Sequence, residues 1–320
     1  SPPTPARPGS DAGAFSEDLG VISSGVLIVT SMPNGVSLVD SVSPGTSICL
    51  SFDFDAISVW IGSMGAKSPG AVSRGEFGVV GAMRLLELLK RYDISSTWFI
   101  PGHTIETYPD AVRAVVDAGH EIGHHNYCHE NPRSLSAEQE LAVLERGIEC
   151  IRGLTGRAPS GFRSPAWDIT SKTVGFLQEL GFEYDSSLMG NDFTPYYCRV
   201  GDEVVTDGPF HFGQEVSLVE LPVDWTLDDW PYFGLNWQAH HVGLRTPSEV
   251  FDIWAAEFDY ASRLPGHKVF TLTMHPQIIG RGSRLMMLER LLDHMRSQPN
   301  VEFRSMGEVA GNFRTTHPKP

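Results

Sequence analysis

Two acids, two residues apart at the end of an apolar run, are the first sign of chemistry. In Ser51-Phe52-Asp53-Phe54-Asp55-Ala56 carboxylates alternate with phenylalanines, and on extended backbone residues i and i+2 share a face. Asp53 and Asp55 therefore address one site, while Phe52 and Phe54 point the other way. One carboxylate is suited to hold a cation and the other to take a proton from a water whose pKa that cation lowers. A solvated loop with unrelated acids is the plain alternative. The apolar flank from Ile48 to Phe54 argues against it by placing the pair at the end of a buried strand.

His120, His124, His125 and His129 crowd into ten residues, in a stretch that also contains Asn126, Tyr127, Glu130 and Asn131. In a chain with twelve histidines, a single HxxxH spacing is easily a chance pair on a wet helix face. A cluster of this density resists explanation as packing, because such groups are buried only when satisfied. One helical turn between His125 and His129 would bring both imidazoles to one side, at the separation two ligands of one ion need. Two histidines and one aspartate leave positions open for water and substrate, which marks a catalytic metal. Mixed nitrogen and oxygen ligands suit Zn²⁺, with Co²⁺, Ni²⁺ or Mn²⁺ as alternatives set by availability.

These residues need a scaffold. The chain has 320 residues and a net charge of −15, which repels a phosphate backbone and anionic lipid, so neither nucleic acid nor a membrane is an expected partner. Apolar runs such as Val269 to Met274 are strand-sized, far short of the roughly 20 residues of a membrane helix. Residues 1–20 are rich in Pro, Ser, Ala and Gly without the apolar core of a secretory signal. Four scattered cysteines without a CxxC pair read as reduced thiols. A cytoplasmic location is expected, with an extracellular one as the alternative if a signal peptide has been removed.

From Ile48 to Phe54 onward, short apolar runs alternate with helical patterns. Expected strands include Thr97 to Ile100, Glu121 to His124, Gly161 to Ser164, Glu183 to Ser186, Val216 to Val223, Lys268 to Met274 and Val301 to Arg304. Expected helices include Gly78 to Tyr92, Pro109 to Ala118, a capped one from Ser136 to about Leu154, Lys172 to Leu180, Pro247 to Ser262 and Arg284 to Ser297. A loop-rich insert is expected from Gly190 to about Gln214 and an irregular stretch from Asp229 to Leu244. About seven βα repeats without a composition break indicate an α/β protein, a barrel of mostly parallel strands in a single domain. The expected organisation is an N-terminal extension over 1–44, a catalytic domain over 45–310 and a tail over 311–320. Active sites of such barrels lie at the C-terminal strand ends. There the expected strands place Asp53, Asp55, His124, His125, His129, Arg163 and His275.

In order and kind, Ser51-Phe52-Asp53-Phe54-Asp55, His125-Asn126-Tyr127-Cys128-His129, Arg163-Ser164-Pro165-Ala166-Trp167, Asp224 to Trp230 and Leu272-Thr273-Met274-His275 resemble the motifs of the polysaccharide deacetylase family, from about residue 45 to 310. The resemblance implies a distorted (β/α)7-type barrel and one divalent metal, with hydrolysis of an N-acyl or related C–N bond. Carried over, Asp55, His125 and His129 would bind the metal and Asp53 would be the base. Arg163 would hold and acidify Asp53, and His275 would be the acid for the leaving nitrogen. Either Asp228 or Asp229 would orient His275, and these two acids with Trp167 and Trp230 would border the substrate.

The first motif departs from the family, in which two aspartates are adjacent and followed by Gly; here Phe54 intervenes and Ala56 follows. Features such as Ser73-Arg74-Gly75-Glu76-Phe77-Gly78, Thr97 to His103, Asn191 to Tyr197 and Met274-His275-Pro276 resemble a peptidoglycan deacetylase-like subgroup that includes cyclic imidases and allantoinase-like proteins. That resemblance implies a small cyclic amide or imide as an alternative to an N-acetyl amino sugar, and a homo-oligomer, with a tetramer as the subgroup's form. Trp60, Trp98, Trp167, Trp225, Trp230 and Trp237 suit either a sugar-stacking groove or the roof of a closed pocket. A catalytically silent carbohydrate-binding barrel is the rival reading. It has no need of both a base and an acid.

Overall fold

The structure is a computed structural model that describes residues 45–236 and 241–319; residues 1–44 and Trp237 lie outside it. Strand β1 (Gly45–Asp53) is buried along almost its whole length, as expected of a parallel strand covered on both faces. Its one edge pairs with β10 (His267–Met274) from Gly45 to Phe52, and its other edge with β11 (Val301–Phe303) and then β2 (Thr97–Ile100). The sheet continues through β3 (Glu121–His124), β4 (Gly161–Phe162), β5 (Tyr184–Asp185) and β7 (Gln214–Glu220) to β6 (Tyr196–Val200). Within this sheet every pairing is parallel except β6 with β7, and a separate antiparallel pair joins β8 (Leu235–Asn236) to β9 (His241–Val242). The sheet curls into a half-barrel, the expected α/β architecture.

Helices pack around it. The main ones are α1 (Pro69–Arg91), α2 (Gly102–Thr107), α3 (Pro109–Asp117), α4 (Ala137–Thr155), α5 (Thr173–Glu179), α6 (Trp230–Phe233), α7 (Pro247–Arg263), α8 (Pro276–Ile279), α9 (Gly282–Arg296) and α10 (Met306–Thr316). Helix α4 opens on the expected capping box of Ser136 and Gln139 and stops at Gly156 in the left-handed region, φ 79°. Helix α1 starts nine residues before the expected Gly78, capped by Ser68 with Pro69 at its first position. Its glycines obscured the helical pattern, and close packing requires them. A Cβ at Gly81 would lie 2.0 Å from the Pro276 carbonyl oxygen, so α1 lies directly against the start of α8, just past β10.

Several short elements were not expected, among them α2, α6 and α8, and two others are instructive. Strand β6 falls inside the expected loop, where surrounding Gly, Pro and Asn hid its aromatic run. Helix α10 crosses the expected 310/311 boundary, and its Ser305–Glu308 capping box was a readable S-x-x-E signal.

His124 does not join the site. It lies on the face opposite His125, with its ring 5.5 Å from Phe162 and 5.6 Å from Phe182. Its Nε2 donates to the Leu144 carbonyl at 3.0 Å and its Nδ1 accepts from Asn126 N–H at 3.2 Å. A Cβ at Gly147 would sit 2.1 Å from that Nε2, so α4 needs glycine there. Burial pushes the His124 pKa down to about 3, whereas the unfolded chain protonates near 6.5. The unfolded state therefore takes up the proton first, and stability falls as pH drops below about 6.5. From pH 7 to pH 5 this residue should cost about 2 kcal/mol. Urea unfolding of His124→Gln should show a pH dependence flatter by about that amount. Equal dependence in both proteins would contradict the assignment.

Candidate active site

Asp53 is the last residue of β1 and Asp55 lies just past it, with Phe52 and Phe54 packed on the buried ring of Trp98 at 4.7 and 5.9 Å. The expected alternation is thus observed, and Trp98 belongs to the core and not to a groove. Ser58 N–H and Thr104 Oγ1, at 2.9 and 2.7 Å, donate to the Asp55 carbonyl and fix the strand end. After β3 the backbone does not form the expected helical turn. Instead Asn126 and His129 both adopt φ 58°, a left-handed geometry that asparagine tolerates well. This tight turn still brings the His125 and His129 rings to 4.9 Å.

Asp55 Oδ1 lies 3.4 Å from His125 Nε2 and 3.8 Å from His129 Nε2. Asp55 Oδ1 and His125 Nε2 are buried without a hydrogen-bond partner among the described residues. Burial drives His125 down to about 4 and His129 well below its ordinary value, so both imidazoles are neutral bases. Burial also pushes Asp55 well above the carboxylate range, against the lowering pull of His275. Unsatisfied buried acceptors are costly, and a divalent cation between these three groups would satisfy all of them. The donor set fits the expected metal.

Arg163 follows β4 and is completely buried. Its Nη1 donates to Asp53 Oδ1 at 2.8 Å and to Ser51 Oγ at 2.9 Å, while Nε and Nη2 donate to the Ser186 carbonyl and hydroxyl. Burial opposes a charge on Asp53, but Arg163 above all, with His125 and His275, holds its pKa below the ordinary value.

His275 follows β10. Its Nδ1–H donates to Asp229 Oδ1 at 2.7 Å and its backbone N–H to Asp229 Oδ2 at 3.0 Å. Asp228 is 3.5 Å from the same Nδ1 and accepts from Trp230 N–H, so Asp229 is the partner that orients the ring. Both Asp229 oxygens are occupied by His275 and the residue is fully buried. Burial works against a charged imidazole, yet Asp229 and Asp228 raise His275 to about 10. Its Nε2 faces Asp53 Oδ2 and Asp55 Oδ2, each at 3.9 Å.

Around this centre the Trp230 ring lies 5.1 Å from His275 and 6.0 Å from Trp60. Trp167, held in a left-handed conformation at φ 53°, packs 4.3 Å from the half-exposed Trp225. Sequence reasoning missed Ser186, Ser63 and Gln277, which touch Arg163, His129 and Asp55 respectively. No local pattern distinguishes them, because each meets its partner only through the fold.

The family model for polysaccharide deacetylase matches residues 79–184. A peptidoglycan deacetylase of Helicobacter pylori is 40% identical over 280 residues, which cover 83% of this chain and 96% of the relative. The chain belongs to the polysaccharide deacetylase family. Members of this deacetylase family are hydrolases acting on carbon–nitrogen bonds. A crystal structure of a Mycobacterium smegmatis protein named as a polysaccharide deacetylase superposes with a TM-score of 0.75 at 32% identity, covering 91% of this chain and 94% of that one. An allantoinase structure shares the fold at a TM-score of 0.69 and 24% identity, covering 86% and 91%. The polysaccharide deacetylase barrel thus carries its two acids in Asp-Phe-Asp form. Because β1 ends at Asp53, Asp55 is free to turn toward the histidines.

Proposed function

We propose that this protein is a metal-dependent hydrolase of a non-peptide C–N bond, acting on an N-acetyl amino sugar or a small, in particular cyclic, amide or imide. The observation that carries the reading is the buried pair of Asp55 Oδ1 and His125 Nε2, without a hydrogen-bond partner among the described residues and set between an ionised Asp53 and a protonated His275. Asp55, His125 and His129 would hold the ion, with Zn²⁺ favoured by the ligand set. A divalent cation bound there supplies Lewis acidity to the scissile carbonyl and lowers the pKa of water.

The chain's own residues do the proton work. Asp53, kept anionic by Arg163, takes the proton of the attacking water through Oδ2, the oxygen that Arg163 leaves free. As the new C–O bond forms and the C–N bond breaks, His275 Nε2 donates its proton to the leaving nitrogen. Asp229 keeps that imidazole protonated and correctly turned. Trp230 and the Trp167–Trp225 pair offer flat apolar surfaces to a ring.

Purified protein loaded with Zn²⁺ or Co²⁺ and offered chitin and peptidoglycan oligomers, cyclic imides and allantoin should turn over at least one class. No turnover of any would refute the proposal. Asp229→Asn should lower the His275 pKa and shift the alkaline limb of the kcat profile to lower pH, because the acid then loses its proton sooner. An unmoved alkaline limb would remove Asp229 from this role.

A further inference from the structure

In each residue of the Asp55, His125 and His129 cluster, the atom turned away from the other two is tied. His125 Nδ1 lies 2.7 Å from the Arg163 carbonyl, which only accepts, so Nδ1 carries the proton and Nε2 is bare. His129 Nδ1 lies 2.5 Å from Ser63 Oγ, and the same hydroxyl is 2.6 Å from the His129 carbonyl. A hydroxyl has one proton, and the carbonyl can only accept it, so Ser63 Oγ must accept from His129 Nδ1–H. That fixes the His129 tautomer with Nε2 unprotonated and turned toward Asp55. The third tie is Gln277, which is buried in the helix following His275. Its Nε2 donates to Asp55 Oδ2 at 3.2 Å, leaving Oδ1 as the bare oxygen.

We propose that Ser63 and Gln277 are positioning residues of the metal centre: Ser63 selects Nε2 of His129 as the ligand atom, and Gln277 selects Oδ1 of Asp55. The inference rests on the metal reading above. Ser63 lies on a five-residue π-helical turn (Val59–Ser63) after β1, and Gln277 sits two residues beyond His275. The loops after two adjacent strands therefore brace ligands supplied by β1 and β3. Gln277 suits this task because its neutral amide donates to the carboxylate without bringing a charge that competes with the ion.

Outer-sphere partners of this kind are worth about 10–100-fold in metal affinity. Competition between a chelator and the protein for Co²⁺ should show that loss in Ser63→Ala and in Gln277→Met, with altered visible absorption of the bound Co²⁺. Ser63→Thr keeps the hydroxyl on an exposed position and should restore affinity. Nitrogen-15 NMR of His129 in metal-free protein should report the Nδ1–H tautomer in wild type and Ser63→Thr, and a mixture in Ser63→Ala. If Gln277→Met melts well below wild type, Gln277→Leu replaces it. Affinities within twofold of wild type in the alanine and methionine or leucine variants would overturn the proposal. Wild-type protein that takes up no Co²⁺ would instead refute the metal reading, and a mixed His129 tautomer in wild type would independently remove Ser63.

Discussion

Asp53→Asn should retain stoichiometric metal and a native fold yet lose about 10²–10⁴ in kcat, the usual worth of a positioned general base. Asp55→Ala should lose metal and activity together. The two carboxylates share a face, but their surroundings separate them. Asp53 Oδ1 is bound to Arg163 at 2.8 Å, and the residue stays below the ordinary carboxylate pKa despite burial. Asp55 has no such guanidinium partner among the described residues, and its Oδ1 points at two bare imidazole nitrogens. Elemental analysis and steady-state kinetics on the two variants check the assignment. If Asp53→Asn strips the metal while Asp55→Ala keeps it, the roles are reversed. If both keep full activity, the site is elsewhere.

Arg163→Met should destabilise the protein by about 3–5 kcal/mol, since it leaves Asp53 as a buried charge without its partner. The guanidinium is fully buried, ties Ser51, Asp53 and Ser186 together, and lies over the Phe99 ring at 4.3 Å. Without it, burial becomes the dominant influence and raises the Asp53 pKa. The acid limb of kcat/KM should then move to higher pH, because the base is protonated over a wider range. The stability deficit should shrink on acidification, as Asp53 in the variant escapes its unpaired charge by protonation. Urea unfolding at pH 7 and pH 5 with a pH–rate profile measures both effects. A loss under about 1 kcal/mol with an unmoved acid limb would contradict the role given to this pair.

Much of the scaffold was legible because parallel strands such as Ile48 to Phe54 and Lys268 to Met274 are continuous apolar runs, and because helix ends such as Ser136 and Gly156 carry capping chemistry. Helix α1 was misjudged at its start because close packing on Pro276 demands glycines that weaken the helical pattern. The alternation of Asp53 with Asp55 was readable from local periodicity. His125 and His129 were found by their spacing, but on a turn with two left-handed residues instead of a helix. His124 has the same side-chain type and a neighbouring position, yet alternation along β3 turns it into the core. The choice between Asp228 and Asp229 was unreadable, since both are adjacent and only the approach of His275 distinguishes them. Ser63, Ser186 and Gln277 reach the site only through tertiary contacts.

The central claim is that Asp55, His125 and His129 together hold one divalent ion. Elemental analysis of wild type and His125→Ala, both purified without added metal and then equilibrated with one equivalent of Zn²⁺ and desalted, tests it most directly. About one ion per chain is expected in wild type and a small fraction of that in the variant. Stoichiometric retention by folded His125→Ala, or turnover by wild type stripped of every divalent metal, would contradict it.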